Sequence, residues 1–324
     1  MSEKRVLILD GLNTYLRSYI VNPSISTNGN PIGGTVGFLG SLRKLMRECK
    51  PSEVIICWDG PGGSRKRKSM VKEYKAGRKP LRKNYQIDGM DEQSERENMI
   101  WQQELLIEML NSMPVMQFMY EGIEADDIIA HVVASKRYKG WKKIIISSDK
   151  DFIQLLDEET LLYRPIQKVI LNKHRVREEY GIAPENFTVA RSMVGDKSDN
   201  LKGIRGVGLK TVYKRFPFLN EDKFYTLSDV KDACESDETG LKIYESILEN
   251  WDTVELNYKM MNLTPPSISL QTRKKIDFVI DSFVRELNAT ELRATSVKNG
   301  FASYEWSEHL AMMKKIISDH RQTA

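Results

Sequence analysis

The sequence predicts an α/β protein: a mostly parallel sheet flanked by helices, giving way to a helical C-terminal region. Three observations carry this. Short apolar runs of strand length alternate with longer amphipathic patterns, as in βαβ units. Acidic residues stand where the strands finish. After about residue 183 the strand pattern stops and helical periodicity takes over.

Taken in order, KRVLILD is a buried strand ending at Asp10. Phe38, Leu42, Leu45 and Met46 share one face of a helix over 35–49. Pro51 follows it, and VIICWD is a second strand, ending at Asp59. Ile100, Trp101, Leu105, Met109, Leu110 and Met113 mark a helix over 99–113, stopped by Pro114. VMQFMY is a short strand, GIEADDIIAHVVASKRY opens a helix, and KIIISSDKD is the last strong strand. TLLYRPIQKVIL reads as a hairpin or as two short strands. HRVREEYG is a helix closed by Gly181, and PENFTVARSMVG is a helix with Pro184 near its start. Helical patterns cover 240–250, 272–287 and 304–318, with TPPS at 264–267 the clearest break. The 324 residues suit one larger and one smaller domain, and the expected boundary lies near residue 183.

Composition narrows the class. Hydrophobic residues make up 40% of the chain, enough for a real core. Its longest apolar runs are strand-sized, far short of the ~20 residues of a membrane helix, so no membrane association is expected. MSEKRVLILD runs straight into a strand pattern, so no signal peptide is expected either. Cys49, Cys57 and Cys234 are odd in number and form no CxxC, and the four histidines are scattered. These features predict a reducing cytoplasm and argue against both a disulfide framework and a zinc site. Net charge is only +4, but it is unevenly placed. Between Arg65 and Lys83 stand ten basic residues and the single acid Glu73; between Asp88 and Glu108 stand seven acids and the single base Arg96. Such blocks mark solvated or interacting segments.

The acids at strand ends are Asp10, Asp59, the group Glu124, Asp126 and Asp127, and the pair Asp149 and Asp151. Ligands of an open parallel sheet bind outside the carboxyl ends of its strands, so these side chains are expected in one cleft. Asp196 and Asp199, three apart, join them. Each has a plainer reading: Asp10-Gly11 and Asp59-Gly60 as turns, Glu124 to Asp127 as a helix N-terminus, and Asp149 as a cap. Together they favour a metal site, because crowded carboxylates repel one another and hard divalent cations relieve that repulsion. An all-oxygen donor set favours Mg²⁺ or Mn²⁺ over zinc. Two such ions can clamp both oxygens of a phosphodiester displacement.

In GDKSDNLKGIRGVGLKTV, residues 195–212, the two aspartates precede a glycine-rich loop with the shape of a helix-hairpin-helix. Amides of such a loop bind a phosphate backbone without reading bases. Gly203, Gly206 and Gly208 supply the backbone; Lys202, Arg205, Lys210 and Thr211 supply side-chain contacts. A tight turn between packed helices is the plainer alternative.

LILDGLN, WDG, YKAGRKP, GIEADD, SSDKDFIQLL and the 195–212 stretch, in this order, resemble the 5′-nuclease family over residues 4–216. That family includes the 5′–3′ exonuclease domain of bacterial DNA polymerase I, flap endonucleases and the phage ribonuclease H of T-even type. This chain is too short to carry a polymerase as well, and its long helical tail looks most like the phage enzymes. The resemblance implies a PIN-like α/β domain over 1–183, with a basic helical arch at about 62–100. It implies a helical domain over 184–324, with a helix-hairpin-helix (H3TH) at about 185–216. Asp10, Asp59, Glu124 and Asp126 fall on the family's first metal site. Asp149, Asp151, Asp196 and Asp199 fall on its second, and Asp127 matches a further motif aspartate. Two Mg²⁺ ions are the implied cofactors, with Mn²⁺ able to substitute, and a K⁺ ion held by hairpin carbonyls. Lys75 and Arg78 match the arch cations that approach the scissile phosphate. Arg65, Lys66, Arg67, Lys68, Lys72 and Lys79 would face a single strand, and Tyr74 would stack on a base. Lys202 stands where the family usually has proline. The implied activity is Mg²⁺-dependent hydrolysis of 5′ flaps, nicks and RNA–DNA hybrids by a monomer, including ribonuclease H action. A replication single-strand-binding protein or clamp is the implied protein partner. The residues alone leave two other classes open: an endoribonuclease of the PIN type and a non-catalytic structure-specific DNA binder.

Overall fold

The computed structural model describes residues 3–76, 90–301 and 304–321. The first strand, β1 (Arg5–Asp10), is buried from Val6 onward. Asp10 then caps α1 (Gly11–Val21), its carboxylate accepting a hydrogen bond from Asn13 N at 3.1 Å. Asp10-Gly11 is therefore not a turn but a strand-to-helix junction, and the helix it opens was not expected from the sequence. The chain continues through α2 (Gly33–Cys49), the fully buried β2 (Glu53–Cys57) and the short α3 (Arg65–Met70). α4 (Glu92–Asn111) begins well before the apolar stripe that predicted it, because Asp91 caps it by accepting from Ser94 N at 2.7 Å.

Next come β3 (Met116–Phe118), α5 (Ala125–Val133), β4 (Lys142–Ile146), β5 (Thr160–Arg164) and β6 (Val169–Leu171). Beyond the sheet are α6 (Lys173–Tyr180), α7 (Phe187–Val194), α8 (Leu209–Arg215), α9 (Leu227–Glu235) and α10 (Lys242–Glu249). The last helices are α11 (Trp251–Met261), α12 (Leu270–Ser282), α13 (Ala289–Lys298) and α14 (Ser307–Arg321). Gly181 closes α6 in the left-handed conformation, at φ 66°, as its position after Tyr180 predicts.

The sheet has the order β3-β2-β1-β4-β5-β6. The first four contacts are parallel, and β6 returns antiparallel to β5. Strand order reverses at β1, between β2 and β4. A crevice forms there, outside the strands' carboxyl ends.

Successive residues of a strand point to opposite faces, and the core divides accordingly. Val6, Ile8, Ile55 and Ile145 pack with α5 and run on without interruption into Phe187, Val212, Val254 and Ile276. That core crosses residue 183, so the end of the sheet is not a gap in packing. Leu7, Leu9, Ile56 and Ile146 pack with α2 and α4 and with Leu292, Trp306 and Met313 of the C-terminal helices. Among the described residues no helix is long and apolar enough to cross a membrane.

Candidate metal and nucleic-acid site

Five segments deliver acids to the crevice at the strand-order reversal. β1 ends on Asp10, 8% exposed. In register beside it, just past β4, the buried Ser147 donates its hydroxyl to Asp10 Oδ2 at 2.9 Å. The same Ser147 oxygen accepts from Asp149 N at 3.1 Å, and Asp149 Oδ1 accepts from Asp151 N at 2.8 Å. Asp59, past β2, accepts from Ala125 N at 2.8 Å, which ties it to the start of α5 beside Glu124 and Asp126. Asp196 and Leu201 exchange both backbone bonds, a small loop that sets Asp196 and Asp199 beside the β4 acids.

Electrostatics show how close these groups stand. Burial, then the charges of Asp59 and Asp149, push the Asp10 carboxyl up to about 7. Burial, then Asp149, Asp10 and Asp59, push Asp126 well above the carboxylate range. Asp151 moves the same way through burial, Asp149, Asp196 and Asp199. Asp149 is raised by burial and by Asp199 and Asp196. Asp59 is raised chiefly by burial. Eight of the nine predicted acids are thus electrostatically linked around one crevice.

Glu124 and Asp196 behave differently. Burial would raise Glu124, 2% exposed, but Arg67 and Lys75 outweigh it and hold the carboxyl below its usual range. Arg67 Nη1 donates to Glu124 Oε2, and Lys75 Nζ donates to Oε1 at 2.6 Å. Burial is likewise outweighed at Asp196, by hydrogen bonds from Ser198 and by Arg191. Arg191, 7% exposed on α7, bridges Asp196 and Asp151, the latter at 3.2 Å.

Three expectations need correction. Asp127 does not join the cluster: one residue along α5 from Asp126, it turns about 100° around the helix. Its Oδ2 accepts from Arg67 at 3.0 Å and its Oδ1 from Ser267 N at 2.7 Å. Arg67 is not an exposed strand contact. It is 8% exposed, paired with Glu124 and Asp127, and its Nε donates to Met260 O at 3.0 Å. Tyr74 offers no open face for a base either. It is 3% exposed, packed with Leu201, Met260 and Met261. A basic run reads as solvated from composition, yet every fourth or so residue of it can face inward on a helix.

The other predicted cations of this segment differ in exposure. Arg65, Lys66, Lys68 and Lys72 are exposed. Lys75 is half-buried in the left-handed conformation, φ 56°, and its N–H donates to Asp199 O at 3.0 Å. Asn200 Nδ2 donates to Glu73 O at 3.0 Å, a second link between this segment and the aspartate loop. Arg78 and Lys79 lie outside the described residues.

The glycine loop joins α7 to α8, anchored by the buried Ile204 and Val207. Lys202, Gly203, Arg205, Gly206 and Lys210 are exposed around it, with Gly208 and Thr211 half-buried. Gly203 is required here, because a Cβ would stand 1.9 Å from Val194 O. Gly206 takes φ 80°. Thr211 Oγ1 donates back to Gly206 O at 3.4 Å, inside the loop.

Among the described residues no group of three acids, histidines or cysteines forms a ready-made metal cage. The chemistry of the acids nonetheless fits divalent ions. The donors are all oxygen, and burial plus mutual repulsion raise Asp10, Asp126, Asp149 and Asp151, an excess of negative charge that a hard cation relieves. Ser147 and Arg191 were not foreseen. A Ser-Ser-Asp run at 147–149 and an arginine five residues before Asp196 are weak signals without the fold.

This sheet and its end-of-strand acids define a class: α/β proteins that gather carboxylates at the switch point of a mostly parallel sheet. Residues 5–181 match the family described as 5′-3′ exonuclease, N-terminal resolvase-like domain. A 5′-3′ exonuclease of Aquifex aeolicus is 30% identical over 277 residues, 80% of this chain and 82% of that one. The chain therefore belongs to the 5′-3′ exonuclease family. In fold it resembles the bacteriophage T5 5′-exonuclease with bound divalent metal ions, TM-score 0.66, at 17% identity over 86% of this chain and 99% of that one. It also resembles the bacteriophage T5 flap endonuclease in a complex with DNA and metal ions, TM-score 0.64, at 16% identity over 91% and 98%.

Proposed function

We propose that this family member is a divalent-metal-dependent 5′-nuclease, acting on 5′ flaps, nicks and the RNA strand of RNA–DNA hybrids. The observation that carries this is the set of buried acids at the strand ends whose carboxyls are raised by one another. The bound metal and DNA named for the two phage T5 structures support it.

In this reading Asp10, Asp59, Glu124 and Asp126 hold one Mg²⁺ ion, and Asp149, Asp151, Asp196 and Asp199 hold a second. Bound there, the ions supply Lewis acidity toward the phosphodiester. Ser147 fixes the Asp10 carboxylate and the Asp149 backbone relative to each other. Arg191 holds Asp151 against Asp196, so acids from two segments keep one geometry. Lys75, from its position on Glu124, places positive charge where a scissile phosphate arrives, and Arg78 would join it. Exposed amides and lysines of the glycine loop grip the duplex backbone without reading sequence.

The test is cleavage of a 5′-labelled flap, a nicked RNA–DNA hybrid and single-stranded RNA in Mg²⁺ and in EDTA. The expected result is 5′-end-directed cutting of the first two in Mg²⁺ only, lowered at least ~100-fold in Asp149→Asn. An Asp149→Asn protein as fast as the parent ends this reading. Cutting of the flap but not the hybrid removes only the ribonuclease H component.

A further inference from the structure

Asp151 follows β4 and Glu124 follows β3, yet one helix end is tied to both. α11 finishes at Met261. The last carbonyls of a helix have no partner within it. Here two successive ones are taken by side chains. Met260 O accepts from Arg67 Nε at 3.0 Å, and Arg67 also holds Glu124. Met261 O accepts from Gln154 Nε2 at 2.9 Å. The same Nε2 donates to Asp151 O at 2.8 Å, and Gln154 Oε1 accepts from Leu263 N at 2.9 Å. Arg191, which bridges Asp151 and Asp196, stands 3.9 Å from Met261 Sδ.

Gln154 has little freedom in this arrangement. A side-chain amide offers two N–H donors and one oxygen, and each is engaged. Turning the amide over would set its oxygen against two carbonyls, so its orientation is fixed. All three partners are main-chain atoms, and two of them lie 107 and 109 residues along the chain. Gln154 therefore brings no charge to the acids and bonds to none of their carboxylates. What it governs is where Asp151 stands relative to the end of α11, and so relative to Arg67 and Glu124. Arg67 serves the same helix end but also pairs with Glu124 and Asp127, so its loss would mix placement with charge.

We propose that Gln154 is a positioning residue: through the end of α11 it sets Asp151 against Glu124, and so keeps the two groups of acids at the spacing their ions need. This rests on the nuclease reading and adds what that reading lacks, a part that couples its two ion sites. Residues that orient metal-holding side chains without touching the metal lower metal affinity or activity by ~10–100-fold when they are removed. Gln154 falls in that group, and the substrate is not among its partners.

The experiment compares the parent with Gln154→Met, which keeps the length of the side chain and loses its hydrogen bonds, and with Gln154→Ala. Val230→Ala, at a buried position of α9, is the control for lost stability. Four quantities are measured: Mn²⁺ binding without substrate by electron paramagnetic resonance, the Mg²⁺ needed for half-maximal flap cleavage, flap binding in EDTA by fluorescence anisotropy, and the melting temperature in EDTA. In Gln154→Met, Mn²⁺ binding should weaken about tenfold and the Mg²⁺ requirement rise by the same factor, with flap binding within about twofold of the parent. Gln154→Ala should match or exceed these shifts. Val230→Ala should lower the melting temperature and leave both metal quantities at their parent values. Parent-like Mn²⁺ affinity in Gln154→Met overturns the proposal, as do equal shifts in Val230→Ala, which would make the effect one of stability alone. If Gln154→Ala does not fold, Gln154→Met decides. A parent that neither binds Mn²⁺ nor cuts the flap removes the nuclease reading and this inference with it, whereas failure of this inference alone leaves the parent's binding and cutting intact.

Discussion

The acids at the centre of the crevice and those at its rim meet the same crowding in opposite ways. Asp10, Asp126 and Asp151 are driven up by burial and by neighbouring acids. Glu124 and Asp196 are held down by the protein's own cations and donors, Arg67 and Lys75 at one rim, Ser198 and Arg191 at the other. The difference is one of degree of compensation. Rim charge is offset within the fold and braces it, while central charge is offset least, with Asp151 sharing Arg191 with Asp196.

Paired substitutions are the strongest way to break this contrast. Asp126→Asn should abolish cleavage of a 5′ flap, with a loss of at least ~1,000-fold, yet raise the melting temperature in EDTA by removing a repelled buried charge. Glu124→Gln also removes an acid, but it takes a partner from buried Arg67 and should cost about 3 kcal/mol in urea unfolding. If both changes destabilise equally, centre and rim are not distinct.

Acidity sharpens the same point with a smaller effect. Asp10 sits at about 7 when folded, well above the 3.8 of an unperturbed aspartate. Between those values the unfolded chain has lost a proton that the folded one keeps, so Asp10 makes stability fall as pH rises from about 4 to about 7 and adds no slope above that. Glu124 and Asp196 act with the opposite sign: their stabilisation is complete above the ordinary carboxylate range and is lost as pH falls below it. Denaturant melts in EDTA from pH 3 to pH 8 should therefore peak in the acid range, and Asp10→Asn should flatten the upper limb. The smallest effect concerns the glycine loop. Lys210→Ala should weaken duplex binding a few-fold and reduce the salt slope by about 1, with no change in the pH profile.

How much of this was legible depended on whether the signal was periodic or spatial. The sheet was, because buried runs such as VIICW have no other reading at that length. Acids at strand ends were, because their position follows from where apolar runs stop. The helix after Asp10 was not, since Asp-Gly serves equally as a turn and only the contact to Asn13 N marks a cap. Arg67 and Tyr74 were misplaced for a related reason: a charged block carries no periodic apolar stripe to show which side faces inward. Asp127 was grouped with Asp126 because adjacency in sequence hides a rotation of about 100°. Ser147 and Arg191 became visible only when register brought β1 beside β4 and α7 beside both acid pairs.

Asn257 on α11 carries a consequence for any attempt to move the glycine loop elsewhere. Its single amide nitrogen donates to Ser192 O at 2.9 Å and to Lys202 O at 2.8 Å, gripping the chain on either side of the aspartate turn. The splint for the loop thus lies some fifty residues downstream of it. A graft of residues 185–216 onto another scaffold would carry the lysines but not the part that keeps them aimed.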